Sequence, residues 1–100
     1  MIVKSFRGDL INMDHVKFVE QVCEDSCWYI DAVFDSETEG NRRKYMTLFS
    51  TEEDWDRQDM YDAFCDAIEK GRAYFEFTVG AMITQRRIRE MRCKEKCSKN

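Results

Sequence analysis

The apolar residues of this chain change their period at Ser50, and that change limits what it can fold into. Upstream, Trp28 to Asp35 alternates: Trp28, Ile30, Ala32 and Phe34 point one way, while Tyr29, Asp31 and Asp35 point the other. A period of two predicts a strand, and an apolar face opposite a polar one fits an antiparallel sheet with one wet side. Downstream, Met60, Tyr61, Phe64, Ala67 and Ile68 recur at helical spacing and form one stripe. Strands followed by a helix predict an α+β domain.

Punctuation along the chain supplies the remaining elements. Ile2 to Phe6 and Leu10 to Asn12 flank Arg7-Gly8-Asp9, and a Gly-Asp pair between apolar runs signals a hairpin. Val16 to Cys23 is a further strand, with Val16, Phe18 and Val22 on one face, and Glu24 to Cys27 makes a tight connection to the Trp28 strand. Ser36 to Arg43 reads as a polar loop and Tyr45 to Phe49 as the next strand. Ser50-Thr51-Glu52-Glu53 has the pattern of a capping box, in which hydroxyl and carboxylate satisfy the first free N–H groups of a helix. Gly71 sits where that helix needs a C-terminal cap. Ala73 to Val79, with Phe75, Phe77 and Val79 on one face, predicts a closing strand, and Ala81 to about Cys97 a second helix. The expected architecture is an antiparallel sheet of four or five strands, with the Ser50–Lys70 helix packed on one face. Residues 1–79 form the core domain and 80–100 a basic helical extension.

A chain of 100 residues with 13% aromatic content has the means for one buried core and no compositional reason for disorder. Lys4 and Arg7 interrupt the first apolar residues, unlike a signal peptide, and no run approaches the ~20 apolar residues of a membrane span. Five cysteines, an odd number without a secretion signal, predict free thiols in a reducing cytoplasm. The net charge of −4 conceals a division. Residues 1–85 hold nine Lys/Arg against eighteen Asp/Glu, whereas residues 86–100 hold seven against two. An acidic body with a basic end implies partners for either part, or for each other.

Both charged surfaces are candidate sites. At 100° per residue, Trp55, Asp59, Asp62, Asp66 and Glu69 gather on the side of the first helix opposite Phe64. Like charges three or four residues apart cost about 0.2–0.5 kcal/mol per pair. A row kept at that cost reads either as a solvated face or as a contact surface for a basic protein, with Trp55 as its aromatic anchor. The second helix carries Arg86, Arg87, Arg89, Arg92, Lys94 and Lys96 around most of its circumference, leaving Ala81, Thr84, Ile88 and Met91 as a narrow apolar seam. It can pair with the acidic body, bind nucleic-acid phosphates as an arm, or serve as a solubilising tail. Phosphate contact needs cations only, and no aromatic is interleaved for base stacking.

Nothing in the chain has the layout of a catalytic centre. His15, the single histidine, lies beside no nucleophile motif, and Gly8, Gly40, Gly71 and Gly80 are too scattered for a phosphate loop. Cys23/Cys27 and Cys93/Cys97 have a spacing zinc ligands permit, but ordinary thiols explain them as well. The expected cofactor and metal set is therefore empty.

Gly8-Asp9-Leu10-Ile11-Asn12-Met13-Asp14-His15-Val16, Thr47-Leu48-Phe49-Ser50-Thr51-Glu52-Glu53 and Ala67-Ile68-Glu69-Lys70-Gly71 together resemble small uncharacterised proteins of Gram-positive bacteria and their phages. The resemblance covers about residues 1–79 and implies hairpin, strands, helix and closing strand, with no catalytic residues. By size and charge alone, the chain is also similar to phage-encoded inhibitors of host defence such as anti-CRISPR proteins. The expected function is a non-enzymatic macromolecule-binding protein, an inhibitor docking its acidic helix face on a basic surface of a nucleic-acid-handling protein. The alternative is a small nucleic-acid-binding regulator acting through residues 86–99. Aromatic residues on the sheet faces also offer a homodimer interface.

Overall fold

The computed structural model describes residues 1–34 and 44–98, with side chains as far as Cys93. The Ser36–Arg43 loop and the far end of the basic tail lie outside the described residues. The chain runs β1 (Ile2–Lys4), β2 (Leu10–Asn12), a 3-10 turn over Met13–His15, β3 (Val16–Glu24), β4 (Cys27–Phe34), β5 (Lys44–Thr51), α1 (Asp54–Glu69), β6 (Tyr74–Glu76) and α2 (Val79–Ser98).

The fold is α+β, but its strands form two three-stranded sheets rather than one sheet of four or five. The long strands make an antiparallel meander, β3-β4-β5. The short ones form β2-β1-β6, in which β1 pairs antiparallel with β2 and parallel with β6. A parallel return needs a crossover connection, and the β3–α1 segment between β1 and β6 provides it. The Phe6 N–H donates to the Leu48 carbonyl at 2.9 Å and ties the two sheets together.

Local chemistry sets the strand ends. β1 stops at Lys4 because buried Ser5 turns the chain: its Oγ accepts from the Asp9 N–H at 3.1 Å and the Arg7 N–H at 3.3 Å. Gly8, at φ +95°, completes this hairpin. The tight β3–β4 turn places Asp25 and Ser26 at φ of 52° and 64°, the pair of left-handed residues that a two-residue hairpin with matching twist requires.

Two irregularities redirect side chains. A register shift between Val16 and Phe18 breaks the expected single face of β3. Val16 and Val19 pack on the core, while Phe18 lies opposite Val33 and Val22 opposite Tyr29 on the far side. One extra residue in a strand sends the side chains after it to the other face. A second shift, after Ile30, leaves Leu48 without a ladder partner, and Leu48 and its neighbour Phe49 are both buried.

The first helix begins later than the capping-box pattern predicts. Ser50 and Thr51 continue β5, opposite Tyr29 and Trp28, and α1 starts at Asp54 with Glu53 as a cap that makes no side-chain bond. The Thr51 hydroxyl instead accepts from the Glu53 N–H at 3.1 Å, closing the turn between strand and helix. The C-terminus lies where Gly71 predicts it. Gly71, at φ +67°, lets its own N–H reach Ile68 O and the Arg72 N–H reach Ala67 O, both at 3.0 Å, a Schellman motif.

α1 lies across the meander and buries Met60, Ala63, Phe64 and Ala67, whereas Ile68, expected in that stripe, is exposed. Phe64, Phe75 and Phe77 form a ring cluster with centroids 4.9–5.6 Å apart. The closing strand is shorter than predicted. It ends at Glu76, and Thr78 caps α2 by accepting from the Ala81 N–H at 3.2 Å, so Val79 is an exposed first-turn residue of α2. Met82, in the next turn, belongs to the core that also holds Val3, Ile30, Leu48 and Phe64.

Candidate interaction site on the first helix

The acidic stripe of α1 is divided between the protein's interior and solvent. Asp59 is buried, because α2 crosses its flank and brings two arginines to it. Arg86 Nε donates to Asp59 Oδ2 at 2.8 Å, Arg86 Nη2 reaches Asp56 Oδ1, and Arg89 Nη1 donates to Asp59 Oδ1. The guanidinium pKa of Arg86 is raised, first by its hydrogen bond to Asp59 and then by that to Asp56. Of the three arrangements open to the basic helix, its first half adopts the pairing with the acidic body. Asp59 is therefore not an open docking residue in this arrangement.

Trp55 remains 63% exposed with one ring face covered, since the Arg89 guanidinium lies 4.8 Å from the ring centroid. Asp62 and Glu69 are exposed. Asp66 is half-buried, with Lys70 Nζ 3.0 Å from its carboxylate. Exposed Glu52, Glu53 and Asp54 extend the acidic surface around the helix start. Glu53, Trp55, Asp56, Arg86 and Arg89 together line an open hollow. A separate groove between α1, β6 and α2 is floored by Ala63, Ala67, Ala81 and Ile88, with Asp66 and Lys70 also on its lining.

The cations proposed for nucleic acid are likewise divided. Arg86 and Arg89 turn inward, Arg87 and Arg92 are exposed, and the side chains of Lys94 and Lys96 lie outside the described residues. The seam of α2 differs from the predicted one: Met82 is buried and Ala81, Gln85 and Ile88 are half-buried, but Thr84 and Met91 face solvent. Met82, Gln85, Arg86 and Arg89 recur at three- and four-residue spacing, the pattern that marks one helix face. Reading the two arginines as part of the packing face would have located the seam. Asp56 escapes the sequence pattern because it lies off the acidic stripe, toward α2.

Cys23 is paired with Trp28 and Cys27 with Glu24, adjacent rungs of one ladder. Successive rungs project to opposite faces, so this pair cannot chelate one ion. The side chain of Cys97 lies outside the described residues. Among the described residues, no group of three or more His, Cys, Asp or Glu is placed to hold a metal. His15 is exposed in its 3-10 turn. No helix among the described residues is long and apolar enough to cross a membrane.

The polar face predicted for β4 is not wet at its centre. Asp31 and Val33 are both buried, because β4 is the middle strand and β3 and β5 flank it on either side. Thr47 Oγ1 donates to Asp31 Oδ1 at 2.8 Å. Burial pushes the Asp31 carboxyl pKa up, the Thr47 hydrogen bond draws it partly back, and the charge of Glu20 raises it again.

Searches with this chain found no matching protein-family model, no matching curated protein and no matching solved structure.

Proposed function

We propose that this chain is a non-enzymatic protein-binding protein that docks the Trp55 side of α1 on a basic surface of its partner. The observation that carries this reading is the state of Trp55, which is largely exposed yet held in place by Arg89, itself pinned by buried Asp59. An aromatic ring ordered before contact loses little conformational freedom on binding, which is what an interface anchor requires. Exposed Glu52 and Glu53 beside it, Asp62 two turns along and Glu69 at the far end of α1 give this side of the helix its negative charge, while Asp54 is paired with Arg57. A surface of that sign competes for Lys/Arg sites that otherwise receive phosphates. A partner bound in this way is a nucleic-acid-handling protein that the chain inhibits in the reducing cytoplasm, where the free thiols of Cys23, Cys27, Cys65 and Cys93 persist.

The nucleic-acid reading draws on fewer groups, since Arg86 and Arg89 are engaged with Asp56 and Asp59 and only Arg87 and Arg92 are exposed among the described cations of α2. Affinity capture from a nuclease-treated bacterial lysate separates the two. A protein partner is expected to be retained, and Trp55→Ala is expected to weaken it by about 2 kcal/mol, roughly thirtyfold in Kd. Asp62→Lys combined with Glu69→Lys should abolish retention while the circular dichroism spectrum stays unchanged. Retention that survives both variants, or retention of nucleic acid alone when nuclease is omitted, overturns the proposal.

A further inference from the structure

We infer that α2 is a displaceable strap, whose Arg86 and Arg89 occupy in cis the acidic site of α1 that a basic partner takes in trans. The identity of the occupant in trans rests on the function proposed above; the strap itself rests on the contacts of α2.

Those contacts fall into two zones. At the start of α2, Met82 is inserted in the core and Ala81 is half-buried, which fixes this end as a pivot. Farther along, Ile88 is half-buried and the polar grip consists of Arg86 on Asp56 and Asp59 and Arg89 on Asp59 and Trp55. After Arg89, Glu90, Met91, Arg92 and Cys93 are all exposed, so as far as Cys93 the described helix gains no further apolar hold. The two guanidinium side chains retain 34% and 36% exposure while Asp59 retains 1%. Water and salt therefore reach the cation side of the contact, where screening acts. Undocking the arginines uncovers Asp56 and Asp59, beside exposed Asp62, and frees the covered face of Trp55 for a partner arginine that holds the ring as Arg89 does. A partner that offers two arginines three residues apart on a helix remakes the same charge-assisted bonds, so exchange of one basic helix for another loses little.

Hydrogen exchange on the full chain tests the strap directly. Raising NaCl from about 0.05 to about 1 M should speed exchange of the 85–93 amides about tenfold while β4 amides are unaffected. A synthetic peptide spanning residues 79–98 tests occupancy in trans. It should bind the full-chain R86Q/R89Q variant about tenfold more tightly than the unmodified protein, and adding Asp59→Asn should remove that binding. Salt-independent exchange of 85–93 overturns the strap, and so does equal peptide binding to the two proteins. Should R86Q/R89Q fail to fold, the exchange measurement on the unmodified chain decides. Salt-sensitive exchange with no Trp55-dependent protein partner upholds the strap and rejects the partner reading.

Discussion

Asp31 shows how one residue can contradict its own pattern. The alternation through Trp28–Phe34 correctly separates the side facing α1, where Arg57 stacks 4.5 Å from the Trp28 ring centroid and also bonds Gln21. It cannot reveal that the opposite side is closed over Asp31, because that closure comes from residues on β3 and β5, distant in sequence. The consequence is a pH dependence with a definite sign. Since burial raises the folded-state pKa of Asp31, the folded chain holds this proton more firmly than the unfolded chain. Stability then falls as pH rises from the ordinary Asp value, near 3.9, through the raised folded value, and stays lowered above it. Asp31→Asn keeps an acceptor for Thr47 and removes the buried charge. It should raise Tm at pH 7, with the difference shrinking as pH falls below the ordinary Asp range. An unchanged Tm gap between pH 7 and pH 3 would contradict this assignment.

At the scale of elements, legibility depends on how local the determining physics is. Gly71 is readable because a left-handed cap needs glycine and little else. Its Cβ position meets nothing within 4 Å, so Gly71→Ala isolates the φ penalty at +67° and should cost about 1 kcal/mol in denaturant unfolding. The β3–β4 turn is readable as a tight connection, though its left-handed Asp25 and Ser26 are not, since both residues tolerate other turns. Ser26→Gly should relieve the left-handed strain and add about 1 kcal/mol, visible as a higher denaturation midpoint at constant slope. The helix start is misplaced at Ser50 for a non-local reason: the capping pattern is a local signal, but Ser50 and Thr51 gain more by extending the ladder to β4. The split into two sheets is likewise illegible, because the parallel pairing of Val3 with Phe75 spans most of the chain.

For the whole molecule, the division between an acidic body and a basic end is plain in the sequence, but its outcome turns on which charges meet. Composition allows α2 to project, fray or fold back; Met82 in the core and Asp59 beneath two guanidinium groups select the last for the half of α2 that lies on α1. The same contact has an asymmetry that stability can read. Asp59 is enclosed, whereas Arg86 and Arg89 each keep about a third of their side-chain surface in water. Removing the anion leaves two cations that can turn to solvent; removing the cations leaves a carboxylate that reaches water only if α2 undocks. Asp59→Asn should therefore cost about 1–2 kcal/mol, the scale of lost hydrogen bonds. Arg86→Met with Arg89→Met should cost more than that, because the carboxylate is then either buried without a partner or reaches water at the expense of α2 docking. Adding Asp59→Asn to the double arginine variant should then recover stability instead of lowering it further, because the stranded charge is gone. Equilibrium denaturation of the three variants decides the point: strictly additive losses would mean that the arginines hold α2 through packing alone, and that Asp59 reaches water in the folded chain.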